Sequence, residues 1–184
     1  LLDAMMGRPT NIALQIMIDW HQLDATVPDL VAETDQLFPA ILDERLETMP
    51  GFMGLIDALE CAGVPRGVAT SSRSAFARDV LSRLDLVARF QFILTAEDVR
   101  HGKPDPEIYV AALDALSISA AEALVFEDSP TGIAAAVGAG INVVGVSSGL
   151  APKILVEHGA LFAISDFTDP ALLRHLDALE GATA

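Results

Sequence analysis

The stretch Val125-Phe126-Glu127-Asp128-Ser129-Pro130-Thr131-Gly132-Ile133 decides how this chain is read. An apolar run closes on two adjacent carboxylates. Ser129 and Pro130 follow, and a small-residue run, AAAVGAG, comes next. Apolar residues that stop at a Ser-Pro start signal and resume as small helix formers predict a buried strand passing directly into a helix. Glu127 and Asp128 repel each other at that junction. A divalent cation would turn the repulsion into attraction.

The same rhythm extends outward in both directions. Strands are predicted over Gly67–Thr70, Phe90–Thr95, Ala123–Asp128, Ile141–Val146 and the segment LFAIS. Helices are predicted over Phe52–Cys61, Ser74–Leu86, Pro106–Leu116, Thr131–Gly140, Pro152–His158 and Pro170–Leu179. Strict alternation of short β-branched runs with helical patterns predicts an α/β fold, a parallel sheet with helices on both faces. Before Met49-Pro50-Gly51 the pattern is helical throughout, over Asn11–Gln22 and Pro28–Thr48, with Pro39 expected to kink the second helix. The division is therefore residues 1–48, all helical, and 49–184, α/β.

Composition narrows the partners. The chain of 184 residues is 52% hydrophobic and only 20% charged, so a packed core is readily built. A formal net charge of −15 leaves no broad basic face for nucleic acid or anionic lipid. No leader pattern or long apolar run is visible, and a cytoplasmic protein without a membrane partner is expected. Cys61 is the single cysteine; it lies in an apolar helical pattern and reads as a small core residue. The only lysines are Lys103 and Lys153.

In open α/β sheets ligands bind beyond the carboxyl ends of the strands. Successive strand ends here carry Thr70-Ser71-Ser72-Arg73, the loop Gly102-Lys103-Pro104-Asp105, Glu127-Asp128-Ser129, and Ser147-Ser148-Gly149. Hydroxyls and helix-start amides suit phosphate oxygens, lysine is a point charge that neutralises them, and Mg²⁺ takes one or two carboxylates. Because strand neighbours face opposite ways, Asp128 is the expected direct metal ligand, with Glu127 assisting or bonding backbone and waters. Each cluster also has a bland reading: Thr70-Ser71-Ser72 as a helix cap, Lys103 as a solvated loop lysine, Glu127-Asp128 as a solvated pair. Their occurrence at successive strand ends argues for a site.

At these residues the chain resembles a haloacid dehalogenase superfamily hydrolase of the sugar-phosphate phosphatase and β-phosphoglucomutase-like branch. The matching pieces are VATSSR (68–73), GKPDPEIY (102–109) and FEDSPTGIAAAVGAG (126–140), preceded by MPGFMGLIDALECAGVP (49–65). The resemblance implies a Rossmann-like core with a small helical cap formed by residues 1–48. It implies that Thr70 binds the transferred phosphoryl group, that Ser71, Ser72 and Arg73 touch phosphate or substrate, and that Lys103 holds nucleophile and phosphate together. It implies Mg²⁺ on Asp128 and Glu127, and a substrate contact from Arg8. The reaction implied is Mg²⁺-dependent hydrolysis of a small phosphorylated metabolite, a sugar or polyol phosphate, through an aspartyl-phosphate.

One departure stands out. The family's paired aspartates, nucleophile and acid/base two residues apart on a first strand, have no match; Asp3 is followed by Met5 and no apolar strand precedes it. The nucleophile is expected on a strand N-terminal to this sequence, between the strands ending in Thr70 and Asp128, and the chain by itself is expected to be inactive. A phosphomutase remains an alternative, weakened by the lack of any lysine before Lys103. A phosphate-binding or regulatory protein without the nucleophile is the non-enzymatic alternative.

Overall fold

The structure, a computed structural model, describes residues 1–182; residues 183 and 184 of the expected α/β portion lie outside the described residues. The helical N-terminal portion comprises α1 (Leu2–Met5), α2 (Thr10–His21) and α3 (Val27–Arg45). Then follow α4 (Phe52–Cys61), β1 (Gly67–Ala69), α5 (Ser74–Arg83), β2 (Phe92–Leu94), α6 (Glu107–Leu116), β3 (Leu124–Glu127) and α7 (Pro130–Gly138). The chain continues through β4 (Asn142–Val146), α8 (Pro152–Glu157), β5 (Phe162–Ile164) and α9 (Pro170–Ala182). The α/β alternation is as predicted, with elements generally a residue or more shorter than their patterns.

Local chemistry sets the ends. At α3 the Thr26 hydroxyl accepts from the Asp29 amide while the Asp29 carboxylate accepts from the Thr26 amide, a reciprocal cap, and Pro28 sits in the first turn. The helix continues through Pro39 and stops at Arg45, short of the predicted Thr48. At α7 the Ser129 hydroxyl accepts from the Gly132 amide at 3.0 Å and Pro130 fills the first position, where its missing N–H costs nothing.

Every strand pair is parallel, but the strands form two groups rather than one continuous sheet: β1 with β2, and β3–β4–β5. Among the described residues no ladder joins β1 to β3; a cavity bordered by Ala69 and Phe126 lies there instead. The three-stranded group is covered on both faces. Val143 of the central strand packs with Ile108 of α6, Ile133 of α7 and Leu155 of α8. Its neighbours Val144 and Val146 face the other way, against Leu172 of α9.

Two features of burial stand out, and one overturns an expectation. No residue of α2 or α3 is fully buried, and Ile12, Trp20, Leu37 and Ile41 on their periodic faces are exposed. Cys61 is exposed as well, because it is the last residue of α4, and the side chain that α4 buries is Ile56, more than a turn earlier. The helical portion reaches the α/β portion by Phe38 against Phe76, with ring centroids 5.3 Å apart, and by the ion pairs Arg73–Asp35 and Arg83–Asp43. Among the described residues no helix is long and apolar enough to cross a membrane.

Candidate active site

The carboxyl ends of β1 and β3 open onto a cavity of about 530 Å³. Its polar wall is Thr70, Ser71 and Ser72 after β1, Lys103 from the loop before α6, and Glu127, Asp128 and Ser129 after β3. Its apolar floor is Met49, Phe52, Phe126 and Phe167, with Phe167 edge-on to both other rings at 5.3 and 5.4 Å. Arg8, from the link between α1 and α2, and Thr10, the first residue of α2, close the remaining side.

That link is stapled to the rim. The Ser71 hydroxyl donates to the Gly7 carbonyl at 2.9 Å, and the Thr131 hydroxyl donates to the Met6 carbonyl at 3.2 Å. Gly7 has φ of 72°, and a Cβ there would collide with the Ser129 and Thr131 side chains, so only glycine allows this approach. Arg8 is thereby brought to the cavity, where it has no carboxylate partner among the described residues.

After β1 the backbone folds back on itself. The Thr70 hydroxyl accepts from the Ser72 amide at 3.1 Å, a local turn of the kind threonine favours. This fixes Thr70 and Ser71 at the cavity wall. Arg73 departs from expectation: it does not line the cavity, because its guanidinium is drawn to Asp35 of α3. A neighbouring carboxylate outside the cavity captures the charge that the resemblance assigns to phosphate.

Lys103 and Glu127 are buried, 7% and 8% exposed, so each must be paired. They form an ion pair with each other. The Lys103 ammonium also donates to the Ala69 carbonyl and to the Tyr109 hydroxyl, both at 3.1 Å. Tyr109 in turn donates to Glu127 Oε1 at 2.6 Å. On the other oxygen, Oε2 accepts from the Asp128 amide at 3.2 Å and from the Ser129 hydroxyl at 3.1 Å. The Glu127 carboxylate thus accepts four bonds, about its full capacity. Both Glu127 oxygens are thus occupied by neighbouring side chains and one backbone amide, whereas Asp128 keeps more of its capacity open. Burial, and then the Glu127 charge, push the Tyr109 phenol well above its ordinary range, so it stays a donor.

Asp128 sits at the exposed mouth of the same rim and takes one side-chain bond from another residue, from the Ser148 hydroxyl at 3.1 Å. The protein around it and the adjacent Glu127 charge raise its carboxyl above the ordinary carboxylate value, against the opposing pull of Ser148 and Lys103. A carboxylate held against its own ionisation beside a second one is a donor that a hard cation would satisfy. The residues present therefore fit part of a Mg²⁺ shell, with Asp128 as the ligand and Ser148 orienting it.

Sequence reasoning placed Ser148 on the rim but missed Tyr109 and Gly132. Tyr109 and Gly132 fall inside the quoted motifs, and their signal was position in the motif rather than chemistry. A Cβ on Gly132 would overlap the Glu127 carboxylate, so the glycine makes room for the buried acid.

A family profile described as haloacid dehalogenase-like hydrolase matches residues 2–146. The chain is 39% identical over 173 residues to validoxylamine A 7'-phosphate phosphatase of Streptomyces hygroscopicus subsp. limoneus, covering 92% of this chain and 78% of that protein. It is 31% identical over 159 residues to a phosphorylated carbohydrates phosphatase of Thermotoga maritima, covering 85% and 74%. Its fold superposes on the crystal structure of a hydrolase from Pseudomonas syringae with a TM-score of 0.82 and 27% identity, covering 96% of this chain and 81% of that one.

Proposed function

We propose that this chain, which belongs to the haloacid dehalogenase-like hydrolase family, serves a Mg²⁺-dependent phosphatase activity on a small phosphorylated sugar or polyol. The observation that carries this reading is the convergence of Thr70, Lys103 and Asp128 on one cavity at the ends of β1 and β3. Two of the relatives named above support a phosphorylated small-molecule substrate, one named a phosphatase of validoxylamine A 7'-phosphate and the other of phosphorylated carbohydrates. Residues 1–48 serve as the cap, with Arg8 reaching the substrate, and the protein works in the cytoplasm.

The nucleophile is an aspartate on a strand that the described residues do not contain. The space between β1 and β3 receives it, pairing with both facing edges. A carboxylate oxygen attacks phosphorus, the ester P–O bond breaks, and the alcohol leaves with a proton from a second acid. Water then attacks phosphorus, releasing inorganic phosphate and restoring the carboxylate. In this scheme the Thr70 hydroxyl and the loop amides hold the phosphoryl oxygens, and Lys103 neutralises their charge. Bound Mg²⁺ would supply charge stabilisation at the phosphoryl group, held by Asp128.

The test is phosphate release by the native protein from a panel of sugar and polyol phosphates, in Mg²⁺ and in chelator, beside Asp128→Asn. Turnover should vanish in chelator and fall by a factor on the order of 10² or more in the variant. Release that survives both treatments unchanged would refute the metal assignment, and no release from any ester in Mg²⁺ would refute the phosphatase reading.

A further inference from the structure

Lysine ammonium groups carry three N–H donors. All three of Lys103 are spoken for inside the protein, by the Ala69 carbonyl, the Tyr109 hydroxyl and Glu127 Oε1. Two of these partners are bonded to each other, because Tyr109 donates to the same Glu127 oxygen. Lysine, phenol and carboxylate therefore form a closed ring of three hydrogen bonds, and the ammonium also lies 4.8 Å from the tyrosine ring centroid. Only the third bond, to Ala69, leaves the ring. Successive strand residues direct their backbone groups to opposite edges. The Thr70 amide bonds to Leu94 of β2, so the Ala69 carbonyl faces the other way, toward the cavity between β1 and β3.

We propose that Tyr109 is a positioning residue, whose hydroxyl fixes the Lys103 ammonium on Glu127 so that one N–H is kept aimed into the cavity for a phosphate oxygen to take over from Ala69. The kinetic part of this inference rests on the phosphatase reading; the geometric part does not. A phenylalanine would fill the same core space beside Ile108 and Ile133, since Tyr109 is only 4% exposed and its ring is already packed there. What it would lose is the bond that stops the four-carbon lysine stem from swinging.

This chain has only two lysines, and the Lys103 signal is assigned by its loss in Lys103→Arg. In native protein labelled with ¹⁵N-lysine, the Lys103 ammonium should give a signal whose hydrogens exchange slowly with water, while the Lys153 ammonium, on a side chain 84% exposed, exchanges fast. Tyr109→Phe should speed the Lys103 exchange at least several-fold and leave Lys153 alone. In the assay above, the variant should lose about tenfold in kcat, as for one hydrogen bond to a charged group, with KM changed less than about twofold. A Lys103 ammonium that exchanges as fast as Lys153 in the parent overturns the inference without any variant. So does unchanged exchange in Tyr109→Phe, or a variant with full kcat. If the parent hydrolyses no phosphate ester, the functional reading fails while the exchange rates still decide the role of Tyr109.

Discussion

Gly132→Ala should be far more damaging than a helix-favouring substitution has any right to be. In an exposed helix interior the change would stabilise by about 1 kcal/mol. Here the new Cβ would lie 2.1 Å from the Glu127 carboxyl carbon and 2.1 and 2.3 Å from its oxygens, so the carboxylate must move. It cannot move freely, because it is buried and accepts bonds from Lys103, Tyr109, Ser129 and the Asp128 amide. Breaking a buried, hydrogen-bonded ion pair costs about 3–5 kcal/mol. Subtracting the propensity gain leaves a net loss of about 2–4 kcal/mol. At about 2–4 °C per kcal/mol for a domain of this size, the melting temperature should fall by about 4–16 °C. The control lies in the same helix: a Cβ on Gly138 would first meet Pro106 Cβ at 3.5 Å, an ordinary contact. Gly138→Ala should therefore leave the melting temperature within about 2 °C of the parent or raise it. Thermal unfolding of the two variants of the native protein by circular dichroism is the assay. Equal shifts for both would refute the argument that Glu127 is held against the backbone of α7.

Two further outcomes can be measured on the same protein. Lys103→Ala should cost a factor on the order of 10² in turnover, whereas Lys153→Ala, 3.6 Å from Glu157 on an exposed side chain, should change it less than about twofold; comparable losses would show that Lys103 is not special. The pH dependence of stability should carry a contribution from Asp98. Its carboxylate accepts from the Thr95 hydroxyl and amide at 2.7 and 2.8 Å, which holds its pKa below the ordinary 3.8. A depressed pKa stabilises the fold above the unfolded value and is lost as pH falls through the folded one. The gap in melting temperature between parent and Asp98→Asn should therefore be constant above about pH 5 and narrow below pH 3.8; a gap independent of pH would remove Asp98 from the account.

Much of the fold was legible because periodicity reports which face of an element is apolar. The α/β alternation from Phe52 onward followed from it, and the rim residues Thr70, Lys103 and Asp128 followed from strand ends. What periodicity does not report is what lies opposite. The apolar positions of α2 and α3 recur at helical spacing, yet Trp20 and Ile41 among them are exposed. The resemblance assigned Arg73 to phosphate or substrate, but its guanidinium pairs with Asp35, 38 residues away. Tyr109 escaped for the same reason: its partner, Glu127, is 18 residues distant, and only the fold brings them together.

The helical N-terminal portion is fastened to the rest at two places, by different forces. Near Gly7 the links are neutral hydroxyl-to-carbonyl bonds from Ser71 and Thr131, both half-buried. Along α3 they are two Arg–Asp pairs with solvent-facing carboxylates, beside one aromatic contact. Rising salt, which shortens the Debye length from about 8 Å at physiological ionic strength, weakens the second kind and barely touches the first. Salt therefore acts on the far end of this segment and spares its root. Ionic strength becomes a lever on how tightly α3 lies against α5, with Gly7 as the fulcrum that stays in place.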